Sequence, residues 1–311
     1  MNWQPSASVN HLRIRAQLLK KIRDFFAERG VMEVETPLLC STSVTATHIG
    51  SLELKQHGYL QTSPEYAMKR LLAAGSGCIY QISKAFRQDE VGSFHNPEFT
   101  MLEWYRVGFN HHHLMNEVDA LLQTVLHTQA AERKTYAEIF TEHLHIDPHA
   151  VNAETLEALA KDKNIHVEGK IKDKDTWLQI LMSHCIEPQL GILHPCFIYD
   201  YPASLAALAR IQSGHPSVAS RFEVYMHGME LANGFHELAD ANEQRKRFEE
   251  NLRERKELGL PAMPIDEFFL AALLHGLPDC AGVALGIDRL VMLAIGSRRI
   301  ADVLSFDFSR V

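Results

Sequence analysis

The sequence predicts an α+β fold: an antiparallel sheet flanked by helices. Three observations carry this. Stretches such as "CIYQISKAF" and "FTMLEWYRV" have strand texture. "HLRIRAQLLKKIRDFFAERG" has an apolar stripe at helical spacing. Strands and helices then alternate along the chain without βαβ regularity, which disfavours a parallel sheet.

The elements follow in order. In residues 11–30, Ile14, Leu18, Ile22 and Phe25 share one stripe, and Gly30 is a natural stop. "VMEVETPLL" reads as a strand ending near Pro37. "YLQTSPEYAMKRLLAAG" reads as strand, then helix. Ser63 suits the N-cap, Pro64 the first helical position and Gly75 the end. "CIYQISKAFRQDE" and "FTMLEWYRV" are the next two strands. From about residue 133 to 195 the texture turns charged and mostly helical. That stretch is expected to be an insertion packed on a single domain spanning 1–311. "SRFEVYMHGMELANGF" returns to strand texture around a His227-Gly228 turn. "LADANEQRKRFEENLRERKELG" is a charged helix with a solvated face, and "IDEFFLAALLHG" a buried one. "GVALGIDRLVMLAIG" is a strand leading into a helix.

Composition excludes some functions. A formal charge of −8 argues against coating nucleic acid, which needs a basic surface. It leaves room for a small anion held by a few arginines. No apolar run approaches the roughly 20 residues of a membrane helix. "MNWQPSASVN" has no basic start and no apolar core, so no signal peptide is expected. Cys40, Cys78, Cys185, Cys196 and Cys280 are scattered without a C-x-x-C pair, as in a reduced, cytoplasmic protein. "HHH" at 111–113 has no second ligand group at zinc spacing and reads as a solvated loop or helix start. No phosphate-cradling G-x-x-x-x-G-K-[ST] loop is present.

Three constellations carry chemistry. If 79–89 and 99–107 pair as antiparallel strands, Phe99, Glu103 and Tyr105 share one face, and Arg87 and Asp89 share a face of the partner. Burying these charges unpartnered is costly, so they either form a structural ion pair or meet a ligand. In "RFEVYMHGMELANGFHEL", a two-residue turn at His227-Gly228 places Glu223 opposite Ala232. Glu230 is then its diagonal neighbour, and a bulge at Asn233-Gly234 precedes Glu237. Two adjacent carboxylates repel unless a cation such as Mg²⁺ lies between them. A solvated acidic face is the alternative. In "GVALGIDRL", Gly282, Ala284 and Gly286 alternate as if a ligand came close. Arg289 then opens a helix, where a guanidinium can meet a phosphate.

Together these pieces resemble the catalytic domain of class II aminoacyl-tRNA synthetases. "GVMEVETPLL", "FRQDEVGSFHNPEFTMLEWY" and "GVALGIDRL" look like motifs 1, 2 and 3, in order across nearly the whole chain. "TSPEYAMKRL", "HNPEFTMLEWY" and "NGFHELADA" are most similar to lysyl-tRNA synthetase. The chain departs from it in three ways. Motif 1 is reached by Pro37, with no anticodon-binding domain before it. The motif 2 loop is one residue longer, and Ala284 stands where glycine is usual. These departures resemble the shorter elongation factor P–lysine ligase family, which joins β-lysine to a lysine of elongation factor P through an adenylate.

The resemblance implies roles. Arg87 and Arg289 would be catalytic, Arg87 bridging substrate carboxylate and α-phosphate and Arg289 meeting the γ-phosphate. Asp89, His95, Asn96, Phe99, Glu230, Leu231 and Gly286 would complete the ATP site, although Asp89 is a shorter acid than the family's usual glutamate. Glu65 would take the amino group near the substrate carboxylate, and Ser63 and Pro64 would belong to the same lysine-binding set. Tyr105 and Glu237 would take the distal ammonium, with Glu103 beside them and Ala284 limiting the space. Glu223 and Glu230 would bind Mg²⁺. A homodimer through motif 1 is implied, with tRNA an unlikely acceptor. A truncated synthetase that charges tRNA and a non-catalytic amino-acid sensor remain the rival readings.

The implied reaction joins two anions, so positioning and charge neutralisation suffice and no protein nucleophile is needed. The Ala284 methyl would fill space that an α-amino group needs. Ala284→Gly is therefore expected to move preference from β-lysine toward α-lysine in ATP–pyrophosphate exchange. An unchanged preference would refute the size argument.

Overall fold

The computed structural model describes residues 3–88, 90–167, 169 and 171–311. Asp89 lies outside the described residues. In chain order the elements begin with helix α1 (Val9–Glu28) and short strands β1 (Met32–Glu33), β2 (Leu39–Cys40), β3 (Glu53–Leu54) and β4 (Gly58–Leu60). Helix α2 (Glu65–Ala73), strands β5 (Ile79–Phe86) and β6 (Glu98–Val107) and helix α3 (His111–Leu126) follow. Next come β7 (Glu132–Thr135), α4 (Tyr136–Leu144), α5 (Ala153–Asp162) and α6 (Lys174–Leu181). Strands β8 (Cys196–Pro202), β9 (Ile211–Gln212), β10 (Val218–Met226) and β11 (Met229–His236) lead to helices α7 (Ala241–Glu257) and α8 (Glu267–Gly276). Strand β12 (Cys280–Gly286) and helix α9 (Ile287–Ile295) complete the order.

The chain divides into two compact units. The first comprises the residues up to 109, 124–126 and 238–311; the second comprises 110–123 and 127–237. In the first unit β6 lies between β5 and β12, antiparallel to both, and β1 adds to β5 in parallel. Alternation gives this sheet two different faces. Tyr80, Leu102 and Trp104 point to one face, where Phe26 of α1 stacks on Tyr80 at 4.4 Å and meets Trp104 edge-on at 5.3 Å. Burying such rings stabilises by about 1.5–3 kcal/mol each. The other face carries Phe99, Glu103 and Tyr105.

A buried ion pair ties this unit together. Asp288, 2 % exposed, accepts from Arg15 of α1 at 2.6 Å and from the Thr100 backbone N–H of β6 at 2.7 Å. Arg15 also donates to the Thr100 hydroxyl at 2.8 Å. Asp288 sits in the first turn of α9, where the helix dipole favours an acid. One carboxylate thus fixes α1, β6 and α9.

In the second unit β10 lies between β8 and β11, antiparallel to both. Strand β7 is parallel to β8, and β9 is antiparallel to β10. Helices α4, α5 and α6 bury Phe140, Leu156, Trp177 and Leu178 in one cluster with Ile198 and Tyr225 of the sheet. Within 133–195 the chain runs from the end of β7 into α4, α5 and α6.

Three readings need correction. Helix α2 begins at Glu65, with Pro64 at its N-cap and no side-chain cap there. Helix α8 buries Phe269, Leu270 and Leu273 but leaves Phe268 and Leu274 67 % and 70 % exposed. The three adjacent histidines form a helix start, as one of the two readings has it, but His111 is buried while His112 and His113 are exposed. Among the described residues, no helix is long and apolar enough to cross a membrane.

Removing one partner of a buried pair strands the other. Asp288→Ala is expected to lose about 3–5 kcal/mol of stability in urea unfolding. A loss below about 1 kcal/mol would show that the pair behaves like an exposed one.

Candidate active site

The first unit positions its candidate residues through the β5–β6–β12 register. Glu103 lies opposite Gln81 on one side and Ala284 on the other. Tyr105 lies opposite Ile79 and Gly282, and Met101 opposite Ser83 and Gly286. Phe99 pairs with Ala85. Phe99, Glu103, Tyr105, Ala284 and Gly286 therefore share a face; the strand pattern predicts this for Phe99, Glu103 and Tyr105.

Glu103 is 2 % exposed. Its two oxygens accept from the Tyr105 hydroxyl at 2.6 Å and the Ser63 hydroxyl at 2.7 Å. Burial, reinforced by the Glu65 charge, pushes its pKa up to about 8, against the pull of Tyr105, Ser63 and Lys69. The carboxyl is thus poised between acid and anion near neutral pH. Glu65 accepts from the Lys69 ammonium at 2.6 Å, and its backbone N–H donates to Ser63 Oγ at 3.1 Å. Ser63, Pro64 and Glu65 line a cavity of about 240 Å³ with Gln61, Tyr66 and Arg70.

Arg87 follows β5. Its guanidinium lies over the Phe99 ring at 5.2 Å and donates to Glu90 at 3.3 Å. Its Nε is buried and meets no acceptor among the described residues. Arg289 donates to His95 Nε2 at 2.7 Å, which fixes that nitrogen as the acceptor. Burial and the nearby Arg289 hold the His95 pKa below the usual value. Asn96 is engaged at both ends by the chain: its amide donates to the Glu98 carbonyl at 2.6 Å and accepts from the Phe308 N–H at 2.9 Å. It anchors the 90–98 loop, so contact with a ligand would require giving up one of these bonds. Gly286 has an ordinary φ of −75°, and a Cβ there would meet only the Arg289 stem, at 3.7 Å or more. The chain itself does not demand glycine at this position. A close-lying ligand would.

The second unit holds Glu223, Glu230, Leu231 and Glu237. His227 and Gly228 form the expected turn, both at positive φ (52° and 71°), joining Met226 to its partner Met229. The register differs from the sequence expectation. Glu223 faces Asn233, not Ala232, and Tyr225 faces Glu230. The irregularity falls at Val224/Tyr225, where Leu231 is the extra residue, so pairing runs evenly through Asn233 and Gly234. Leu231 is 2 % exposed, which leaves mainly its backbone to offer a ligand. Glu237 is 1 % exposed, and its backbone bridges to Ala209.

Glu223 also corrects the repulsion argument. It accepts from the Arg221 guanidinium, from the Tyr201 hydroxyl at 2.7 Å and from the Tyr225 hydroxyl at 2.5 Å. Asn233 approaches at 3.4 Å. Burial disfavours the charged form of Arg221, but Glu223, with Glu230 further off, outweighs this and raises its pKa. The cation beside these acids is therefore a guanidinium. With its lone pairs occupied, Glu223 does not fit a direct metal ligand without losing a donor. Among the described residues, no group of three or more His, Cys, Asp or Glu side chains is arranged to hold a metal ion.

Sequence reasoning missed Arg221 and Tyr225, although period two places both on the face of Glu223. It also missed Lys69, four residues from Glu65 on one helix. Tyr201 carries no local signal, because it arrives from another strand.

Comparison with known proteins adds three findings. A family model described as class II tRNA synthetases (D, K and N) matches residues 1–310. A Vibrio cholerae protein named elongation factor P–(R)-β-lysine ligase is 52 % identical, over 99 % of this chain and 98 % of its own. Proteins of the same name from Salmonella arizonae and Proteus mirabilis are 52 % and 51 % identical over the same shares.

Tyr105→Phe removes a hydrogen bond that favours the Glu103 carboxylate. The Glu103 titration, followed by carbon NMR of its carboxyl, is expected to move above about 8. A fixed or lowered midpoint would contradict the geometry.

Proposed function

This chain belongs to the class II tRNA synthetase family, and we propose that it activates lysine or β-lysine with ATP and transfers it to a lysine side chain of elongation factor P. One observation carries the reading. A buried acid with two hydroxyl donors stands on β6, and a guanidinium whose buried Nε–H meets no acceptor among the described residues directly follows the partner strand β5. Glu103 and Phe99 are four residues apart along β6, about 13 Å at strand rise. That span separates an ammonium-reading end from a nucleotide-reading end. The names and extent of the relatives support the choice of acceptor.

The chemistry follows from the residues. A substrate carboxylate oxygen attacks the α-phosphorus of ATP, the bond to pyrophosphate breaks, and an acyl-adenylate forms. Arg87 would neutralise the two anions as they meet, and Phe99 would stack on adenine. Arg289, oriented by His95, would hold the γ-phosphate. The acceptor amine then attacks the acyl carbon, AMP leaves and a proton goes to solvent. Magnesium, when bound with ATP, supplies charge neutralisation at the phosphates. We assign it to Glu230, with Glu223 held behind as a fixed acid. The roles proposed for Glu65, Tyr105, Glu237 and Ala284 in binding the diamino acid are kept. Asp89 keeps its ATP assignment from sequence alone.

Two further assignments belong to this reading. A homodimer through motif 1 would cover Met32, Leu38 and Leu39, which are exposed in the single chain. A cytoplasmic location suits the five free cysteines.

The test is incubation with ATP and α- or β-lysine, followed by mass measurement of elongation factor P and of tRNA offered as acceptors. Elongation factor P is expected to gain one lysyl unit. A gain by tRNA alone would replace this reading. Arg87→Ala is expected to lower kcat by about 10²–10³-fold, the scale of losing one preorganised charge-stabilising donor.

The pH dependence has a definite sign. Below its raised pKa, Glu103 is protonated and must lose that proton to meet an ammonium. Lysine affinity is therefore expected to rise with pH, up to about tenfold per unit, and to level off above about 8. A flat profile from pH 6 to 9 would remove Glu103 from the ammonium site.

A further inference from the structure

Lys69 is 1 % exposed, in the second turn of α2. Its ammonium donates to Glu65 at 2.6 Å and lies 5.8 Å from the Phe269 ring centre. Lysine is almost never fully buried unless paired. A buried ion pair is also a poor source of stability, since apolar residues of similar volume often do as well or better. The pair therefore calls for a reason other than holding α2 in place.

That reason lies in the neighbouring contacts. Glu65 is linked through Ser63 to Glu103: Ser63 Oγ accepts from the Glu65 N–H at 3.1 Å and donates to Glu103 at 2.7 Å. One hydroxyl thus links the two acids, with Glu65 in the cavity wall and Glu103 buried behind Ser63. Without an internal cation they would repel each other and resist ionising together.

We propose that Lys69 is a positioning residue for substrate recognition. It fixes the Glu65 carboxylate and supplies the internal positive charge that lets Glu65 and Glu103 stand together in one diamine-reading pocket. Lys69 acts through Glu65 and touches no substrate. With both acids ionised, the three side chains carry one net negative charge, which favours a cationic substrate over a neutral one. The proposal rests on the lysine-activating function proposed above.

The groups that set Glu103 are Glu65 and Lys69 from α2, Ser63 before it and Tyr105 on the same strand. Glu65 raises the Glu103 pKa and Lys69 lowers it. Removing each therefore moves the Glu103 titration in opposite directions, which simple loss of packing would not do.

The experiment is lysine-dependent ATP–pyrophosphate exchange from pH 6 to 9, with KM measured for lysine and for ATP. Lysine-dependent exchange by the unaltered protein comes first; its absence overturns the functional reading itself. Given exchange, K69M is expected to raise KM for lysine about tenfold or more at pH 7, equivalent to at least 1.4 kcal/mol. KM for ATP should stay unchanged. The pH at which lysine KM levels off should rise in K69M and fall in E65Q. K69Q, which keeps a hydrogen-bond donor without the charge, should follow K69M and serves if K69M does not fold. In an E65Q background the K69M effect should shrink, because the two act as a unit. A K69M or K69Q profile superimposed on that of the unaltered protein overturns the proposal. So does a parallel rise in both KM values, or an equal K69M effect in both backgrounds.

Discussion

The first unit depends on one carboxylate. Asp288 meets Arg15 and the Thr100 N–H from a position 2 % exposed. Those contacts fix the start of α9 against the start of β6. Arg289 is the next residue along α9, and Phe99 precedes Thr100. The two side chains assigned to the nucleotide thus emerge from neighbours of a buried node. Neither needs to be rigid by itself, because its backbone is held from the opposite side of the sheet.

The same economy appears in how the molecule keeps acids buried. Glu103 is given two hydroxyl donors, and its pKa rises to about 8. Glu223 is given Arg221 and two tyrosine hydroxyls, Tyr201 and Tyr225. Burial and the adjacent Glu223 push both tyrosines well above the usual phenol range, so they remain donors. Glu103 can therefore exchange its proton for a ligand ammonium, whereas Glu223 is already satisfied. Two acids that look equivalent in a sequence have different chemistry because their donors differ.

Much of this was legible in the chain. The stripe of Leu18, Ile22 and Phe25, the alternation through Glu103 and Tyr105, and the His227-Gly228 turn each follow from local periodicity or backbone preference. The alternation of small residues in β12 was legible too, whereas their place opposite Glu103 and its neighbours came from strand pairing. The errors have a common origin. The register of β10 on β11 shifts by one residue at Val224/Tyr225, and no local pattern announced it. Asn96 looked available, but its partner Phe308 lies 212 residues away. His111 looked solvated as part of a polar run, but it is buried at the start of α3.

The sequence by itself determined most element types, the faces of the long strands and the set of residues that we assign to an anion at one end and an ammonium at the other. Those are properties of spacing, because side-chain direction repeats every two or 3.6 residues. Tertiary structure decided which charges are paired. Arg15 with Asp288, Ser63 with Glu103 and Tyr201 with Glu223 join partners 273, 40 and 22 residues apart. Such pairings set protonation and orientation, and they arise only when separate elements bury one another's polar groups.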